Sequence, residues 1–211
     1  MSERYRVTSL DSIEALPGPG SLRWLPVRHA LGIGAFGTNA YVARAAGDDV
    51  VEPHKEGASG HEELYFVARG AATFTLDGDE VHAPAGTYVF IPDPEVHRRA
   101  VAEEAGTTVL SFGAPRGEAF SVSGWEARFR ATAIRERDPE QARALYEEGL
   151  AAEPESAWAT YDLACWHALY GSAGEARALL ERAIALGGND VRSHSQMDPD
   201  LASLRDDEAP A

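Results

Sequence analysis

The sequence predicts a mainly β fold with an added helical part: an antiparallel β-barrel or jelly roll, then a small helical, repeat-like domain. Between residues 40 and 112, short runs of alternating apolar residues are separated at close spacing by turn residues, which is typical of a sandwich or barrel. From about Trp125 onward, apolar residues recur at helical spacing instead. We therefore expect two domains, at residues 1–116 and 122–211.

Eight candidate strands make up the first part of the chain. They are Tyr41–Ala46, Val50–His54, Glu62–Ala68, Ala72–Leu76, Glu80–Ala83, Thr87–Ile91, His97–Val101 and Thr107–Phe112. Asp77-Gly78 lies between two of these runs and is a strong signal for a tight hairpin turn.

The helical part contains a sequence repeat. Asp138 and Pro139 are typical of an N-cap followed by a first-turn proline. The segment ARALYEEGL at 142–150 returns as ARALLERAI at 176–184, a period of 34 residues, and a middle helix is expected over Ala157–Tyr170. This pattern resembles the tetratricopeptide repeat, which implies a surface for a protein partner. About one and a half repeats are present, so we expect the segment to dock on the β domain or on a second copy.

Composition excludes several classes of function. The chain has 19 basic and 34 acidic residues and a formal charge of −15. Neither half has the basic face that binds nucleic acid or an anionic membrane. No apolar run approaches the roughly 18 residues of a membrane-spanning helix. Cys165 is the single cysteine, so no intrachain disulfide can form, and we expect a reducing cytoplasm.

Polar side chains are arranged so that several share strand faces, because residues two apart on a strand point the same way. The groups are His54 with Glu56, His61 with Glu63 and Tyr65, and His97 with Arg99. If the faces with His54, Glu63 and His97 all point inward, imidazoles and carboxylates meet at one level. Such a mixed nitrogen and oxygen set suits Fe, Mn, Ni, Zn or Cu.

Residues 40–113 resemble a cupin. The family's second box, G-x5-P-x-G followed by a histidine eleven residues later, is matched by Gly78, Pro84, Gly86 and His97. The end of its first box is matched by Glu63 and, seven residues later, a glycine. The resemblance implies a small antiparallel β-barrel or jelly roll that is often a homodimer and frequently holds one divalent metal.

The front of the first box departs from the family pattern, because small residues occupy the positions where two histidines are usual. A three-residue insertion within 57–60 would make the metal ligands His54, Glu56, Glu63 and His97. Alternatively, His61 could serve with Glu63 and His97. A third possibility is a degenerate cupin without metal.

The resemblance implies binding of a small organic molecule beside the metal, with possible metal-dependent oxygenase, isomerase or lyase chemistry. Glu63 and Tyr65 are then the candidate catalytic residues, and Arg99 and His61 are the candidate substrate-binding residues. The alternative is a non-enzymatic module that senses a ligand and recruits a protein partner through its helices.

Overall fold

The computed structural model describes residues 5–57, 59–122 and 124–206. Contacts divide the chain into two compact units, Met1–Val122 and Ser123–Ala211. We call them the β unit and the helical unit. The segment 117–121, which lies between the two predicted domains, falls in the β unit, and so does Val122.

The described residues of the β unit form ten strands, one short α-helix and a 3-10 turn at Leu10–Ser12. The strands are β1 (Leu16–Pro17), β2 (Arg23–Leu25), β3 (Gly37–Val42), β4 (Asp49–His54), β5 (His61–Arg69), β6 (Ala71–Leu76), β7 (Asp79–Pro84), β8 (Tyr88–Ile91), β9 (Arg98–Ala102) and β10 (Thr108–Pro115); the helix is α1 (Val27–Leu31).

The strands pair as two antiparallel sheets. One sheet has the order β1-β2-β3-β10-β5-β8, and the other has the order β4-β9-β6-β7. Strands adjacent in space are often distant in the chain, as in the pairing of β10 with β3 and β5. The predicted antiparallel jelly roll is confirmed, but the strands remain two separate hydrogen-bonded sheets and do not close into one barrel.

The hairpin between β6 and β7 forms at the predicted Asp77-Gly78 turn. Both residues have left-handed backbone, with φ of 50° at Asp77 and 97° at Gly78. This conformation matches the right-handed twist of a two-residue hairpin, and glycine adopts it without a steric penalty. The turn brings β7 back along β6 in register from the turn to Ala71.

The core of the β unit lies between the inner faces of the two sheets. Val67 and Val109 of the first sheet and Phe74 of the second are fully buried. The rings of Tyr65 and Phe74 are 5.7 Å apart between centroids, which joins β5 to β6 across the core. Inward-facing side chains of both sheets therefore share one interior.

Five α-helices lie in the described part of the helical unit. They are α2 (Gly124–Ile134), α3 (Pro139–Ala152), α4 (Ala157–Tyr170), α5 (Ala173–Met197) and α6 (Ala202–Asp206), with a 3-10 turn at Pro199–Leu201. The predicted N-cap is present, since Asp138 accepts a hydrogen bond from the Gln141 amide. The predicted middle helix coincides with α4. Within the described residues, no helix has the length and apolarity needed to cross a membrane.

Candidate functional site

Three strands bring the candidate ligands together. His54 ends β4 and pairs with Arg98 of β9, and Glu63 lies near the start of β5 on the facing sheet. Glu56 follows β4, where its amide donates to the Pro94 carbonyl. One potential ligand atom from each of His54, Glu56 and Glu63 lies within 4.8 Å of the others.

The imidazole of His54 is oriented by the backbone. Its Nδ1 lies 2.7 Å from the carbonyl oxygen of Glu52, so Nδ1 carries a proton that it donates to this carbonyl. Nε2 then faces the two carboxylates, at 3.5 Å from Glu56 Oε1 and 3.7 Å from Glu63 Oε2. A histidine whose Nδ1 is tied to a carbonyl presents Nε2 for a ligand in a fixed direction.

Glu56 is held by the loop that follows it. Ser59 Oγ hydrogen-bonds to the Glu56 carboxylate, and it also lies 3.0 Å from the Glu56 carbonyl oxygen. His61 Nδ1 lies 3.9 Å from Glu56 Oε2, which places this predicted substrate-binding residue at the edge of the cluster. Ala58, inside the predicted insertion, is outside the described residues.

Glu63 accepts two hydrogen bonds on the same oxygen. Arg98 Nη1 donates to Oε2 at 2.8 Å, and the Tyr65 hydroxyl donates to that oxygen as well. The guanidinium of Arg98 is fully buried and also donates to backbone carbonyls, including those of Pro94 and Val96 at 3.2 and 3.0 Å. Oε2 is therefore fixed by protein donors, and Oε1 is the more available carboxylate oxygen.

Electrostatics set the protonation of this cluster. Burial by itself lowers the pKa of His54, but the nearby carboxylates of Glu56 and Glu63 and the charge of Glu52 raise it to about 10. Burial raises the pKa of Glu52, and the nearby His54 opposes that change. Burial and the Glu63 carboxylate raise the pKa of Tyr65 well above its usual range. Tyr65 therefore keeps its proton and acts as a hydrogen-bond donor.

The structure brings some predicted site residues together and leaves others apart. His54, Glu56, Glu63, Tyr65 and His61 lie in or beside the cluster. The sequence interpretation also placed His97 and Arg99 there.

A correction is needed for His97 and Arg99. The His97 side chain is exposed, and Arg99 is partly exposed and pairs with Asp49 at 2.7 Å. Between them in the chain, Arg98 points inward. Successive side chains on a strand point to opposite sides of the sheet, so a shift of one residue in β9 exchanges the side chains that face the core with those that face solvent.

Arg98, Glu52 and Tyr41 are site residues that the sequence interpretation missed. Arg98 shares its strand face with the small residues Ala100 and Ala102, which are buried. That pattern marks an inward face and was readable from the sequence. Glu52 lies two residues before His54 on β4, so the two side chains are on the same face of that strand. Tyr41 is buried, and burial followed by the charges of Glu52 and Glu63 raises its pKa well above the usual range.

The donor set fits a divalent transition metal. One imidazole nitrogen and two carboxylates converge within ligand reach, and this combination suits Fe, Mn or Zn among others. Backbone and side-chain partners also orient His54, Glu56 and Glu63, as is usual for residues that ligate a metal. Metal binding at Nε2 would require His54 to lose the proton on that nitrogen, so the metal ion and the proton compete for Nε2.

Solved structures with similar folds include several cupins. A cupin protein from Bacteroides fragilis is 17% identical, with 58% of this chain and 93% of that chain covered and a TM-score of 0.42. A sugar phosphate isomerase from Silicibacter pomeroyi is 22% identical, with 51% and 74% covered and a TM-score of 0.43. KdgF from a Halomonas species is 18% identical, with 56% and 97% covered and a TM-score of 0.43.

Family models match both parts of the chain, whereas no curated protein matches it. A tetratricopeptide-repeat model matches residues 133–197 of the helical part. The model of the AraC-like ligand-binding domain matches residues 38–163, which is more than half of the chain and includes every residue of the cluster described above. With its jelly roll of two antiparallel sheets, the chain belongs to the AraC-like ligand-binding domain family and has the cupin fold.

Proposed function

We propose that the β unit binds a small organic molecule beside a divalent transition metal held by His54, Glu56 and Glu63. The observation that carries this proposal is the convergence of their three ligand atoms within 4.8 Å of one another. His97, which the sequence interpretation added as a fourth ligand, has an exposed side chain and is left out of this set.

The charge of the cluster supports a cation. Three carboxyl groups, those of Glu52, Glu56 and Glu63, influence His54, while Arg98 is the permanent cation in contact with Glu63. A divalent ion with neutral His54 would compensate this excess of carboxylates. Buried carboxylates without compensating charge are costly, so the arrangement favours a bound cation or a protonated His54.

Each residue has a chemical role in the proposal. A bound metal would supply Lewis-acid chemistry to a carbonyl or hydroxyl group of the ligand. Glu63 offers Oε1 as a ligand or as a base, because Oε2 is held by Arg98 and Tyr65. Tyr65 donates a hydrogen bond and keeps Glu63 in position. His61 lies at the edge of the cluster, where it can orient the organic ligand.

Elemental analysis of the purified protein, before and after loading with Fe, Mn, Ni, Zn or Cu, tests this proposal. We expect one metal ion per chain in the wild type, loss of the metal in His54→Ala, and full retention in His97→Ala, the matched histidine control. Wild-type protein without metal after loading would overturn the proposal. Equal loss in both variants would overturn the ligand set.

A second candidate function is ligand binding without metal or catalysis. Its supporting observation is that protonated His54 and the buried Arg98 already provide two cations in the cluster. In this case an anionic ligand such as a small carboxylate would bind at the site, and the helical unit would recruit a protein partner. Chelator-treated protein would then show a raised unfolding temperature with small carboxylates, and His54→Gln would abolish that increase. If no small carboxylate raised the unfolding temperature of the wild type, ligand binding without metal would be excluded.

The predicted homodimer is part of the proposal as well. Sedimentation equilibrium of the full chain tests it, with a mass near twice 22.6 kDa as the expected result.

A further inference from the structure

We infer that Phe120 closes one side of the candidate site, so that its ring limits the size of the ligand that reaches Glu63; this inference rests on the proposed ligand-binding function. Phe120 lies in the segment 116–122, which follows β10 within the β unit. No function was predicted for this segment from its sequence. Its contacts with the inner face of the first sheet indicate a function in the site.

A row of residues without side chains lies next to Glu63. Gly113 of β10 pairs with Gly37 of β3 on one side and with Glu63 of β5 on the other. Residues paired directly across antiparallel strands point to the same face. A Cβ atom on Gly113 would lie 3.3 Å from Glu63 Cγ and 3.6 Å from Oε1. Because these two positions are glycines, no side chain of β3 or β10 fills the inner face beside Glu63 at this level.

The ring of Phe120 occupies part of this space. A Cβ atom on Gly37 would lie 3.5 Å from Phe120 Cε2 and 3.7 Å from Cζ, so the ring stands over the inner face of Gly37. The ring centroid is also 5.7 Å from that of His61, with the two planes tilted by 34°. Phe120 thus spans from β3 to the first residue of β5, at the end of the sheet where Glu63 lies.

The side chain of His61 connects Phe120 to the candidate metal ligands. His61, which the ring of Phe120 contacts, lies 3.9 Å from Glu56. The start of the segment is anchored by Arg116, which donates to Glu62 at 3.0 and 3.1 Å. The apolar ring beside His61 excludes water and bulky groups from the side of the cluster that His61 borders. We therefore assign the site to small ligands with a polar, metal-binding end.

Chemical labelling of His61 tests the closure without any metal. Diethyl pyrocarbonate modifies accessible imidazoles, and the exposed His82 serves as an internal reference. We expect His61 to react several times faster in Phe120→Ala than in the wild type, with an intermediate rate in Phe120→Leu. Val122→Ala, which removes an exposed apolar side chain from the same segment, should leave the rate unchanged. Equal His61 rates in all four proteins would overturn the inference.

Binding of small and large anions to the Co2+-loaded protein tests the size limit, with the visible absorption of Co2+ as the signal. Phe120→Ala should bind benzoate about tenfold more tightly, since steric fit in a pocket is worth that much. Its affinities for azide and for Co2+ should match those of the wild type. An unchanged preference between azide and benzoate in Co2+-loaded protein would overturn the size limit. Absence of Co2+ uptake in every protein would instead refute the proposed metal site, and the His61 labelling would then decide the role of Phe120.

Discussion

Arg98 and Arg99 are neighbours in the chain but have opposite environments. The Arg98 side chain is fully buried, where it donates to Glu63 and to backbone carbonyls. Arg99 is partly exposed and pairs with Asp49 at 2.7 Å. The same residue type thus holds the interior of the site at one position and makes a surface ion pair at the next. This contrast provides a matched test of the register of β9.

We predict that Arg98→Ala lowers the free energy of unfolding by about 3–5 kcal/mol, because it leaves the Glu63 carboxylate and several carbonyl groups without their buried partner. Arg99→Ala should lower it by about 0–1 kcal/mol, as is usual for an exposed ion pair. Urea unfolding of both variants measures the difference. Equal effects of the two substitutions would contradict the inward placement of Arg98.

His54 makes the stability of the metal-free protein depend on alkaline pH. The carboxylates of Glu56 and Glu63 beside it outweigh the effect of burial and raise its pKa to about 10 in the folded chain. In the unfolded chain the pKa of histidine is about 6.5. The stabilisation is therefore complete below about pH 6.5 and is lost as the pH rises through about 10.

The corresponding measurement compares urea unfolding of chelator-treated wild type and His54→Gln between pH 7 and 10.5. We predict that the stability advantage of the wild type decreases over this range, since the imidazolium loses its proton. An advantage that stayed constant over this range would show that His54 is neutral in the folded protein.

The hairpin of β6 and β7 depends on the two residues of its turn. Asp77 and Gly78 both have positive φ, and the Asp77 carboxylate accepts a hydrogen bond from the His97 amide at 2.9 Å. Asp77 in turn donates its amide to the His97 carbonyl. The turn therefore fixes the start of β9 as well as the connection of β6 to β7.

We predict that Gly78→Ala lowers the free energy of unfolding by about 1–2 kcal/mol, because left-handed backbone brings a Cβ atom too close to the following carbonyl oxygen. Gly34→Ala is the matched control, since Gly34 has no positive φ and open space around it. Thermal or urea unfolding reports both changes. A neutral Gly78→Ala would mean that the turn relaxes at little cost.

The sequence predicted most strands, but it placed the first main strand too late in the chain. Alternation suggested Tyr41–Ala46, whereas β3 spans Gly37–Val42. The reason is tertiary: β3 pairs along its length with β10, and Gly37 meets Gly113 there. Local periodicity contains no information about such a distant partner, so the strand boundary follows the pairing and not the pattern.

At the scale of the whole molecule, charge is the dominant feature. Residues 1–115 have 9 basic and 16 acidic residues, a charge of −7, and residues 116–211 have 10 and 18, a charge of −8. Both parts of the chain therefore carry an excess of negative charge. Self-repulsion of this kind destabilises a compact state, and dissolved salt screens it.

We predict that raising sodium chloride from about 0.01 to 0.2 M increases the thermal unfolding temperature, because the Debye length falls from about 30 Å to below 10 Å. Potassium chloride at the same concentrations should have the same effect if screening is the cause. A lower unfolding temperature in salt would indicate that ion pairs such as Arg99–Asp49 outweigh the general repulsion.

The sequence by itself predicted a β-sandwich or barrel and a helical repeat, because strand alternation and helix periodicity are local properties. The resemblance to cupins added the jelly roll and, as one of its alternatives, the ligand set of His54, Glu56, Glu63 and His97. Only the tertiary structure decided that Arg98, and not His97, faces the first three of these residues, since one residue of register exchanges the two faces and distant strands set that register. It also decided the position of Phe120, because a segment without periodicity is placed by contacts with residues distant in the chain, such as Gly37 and His61.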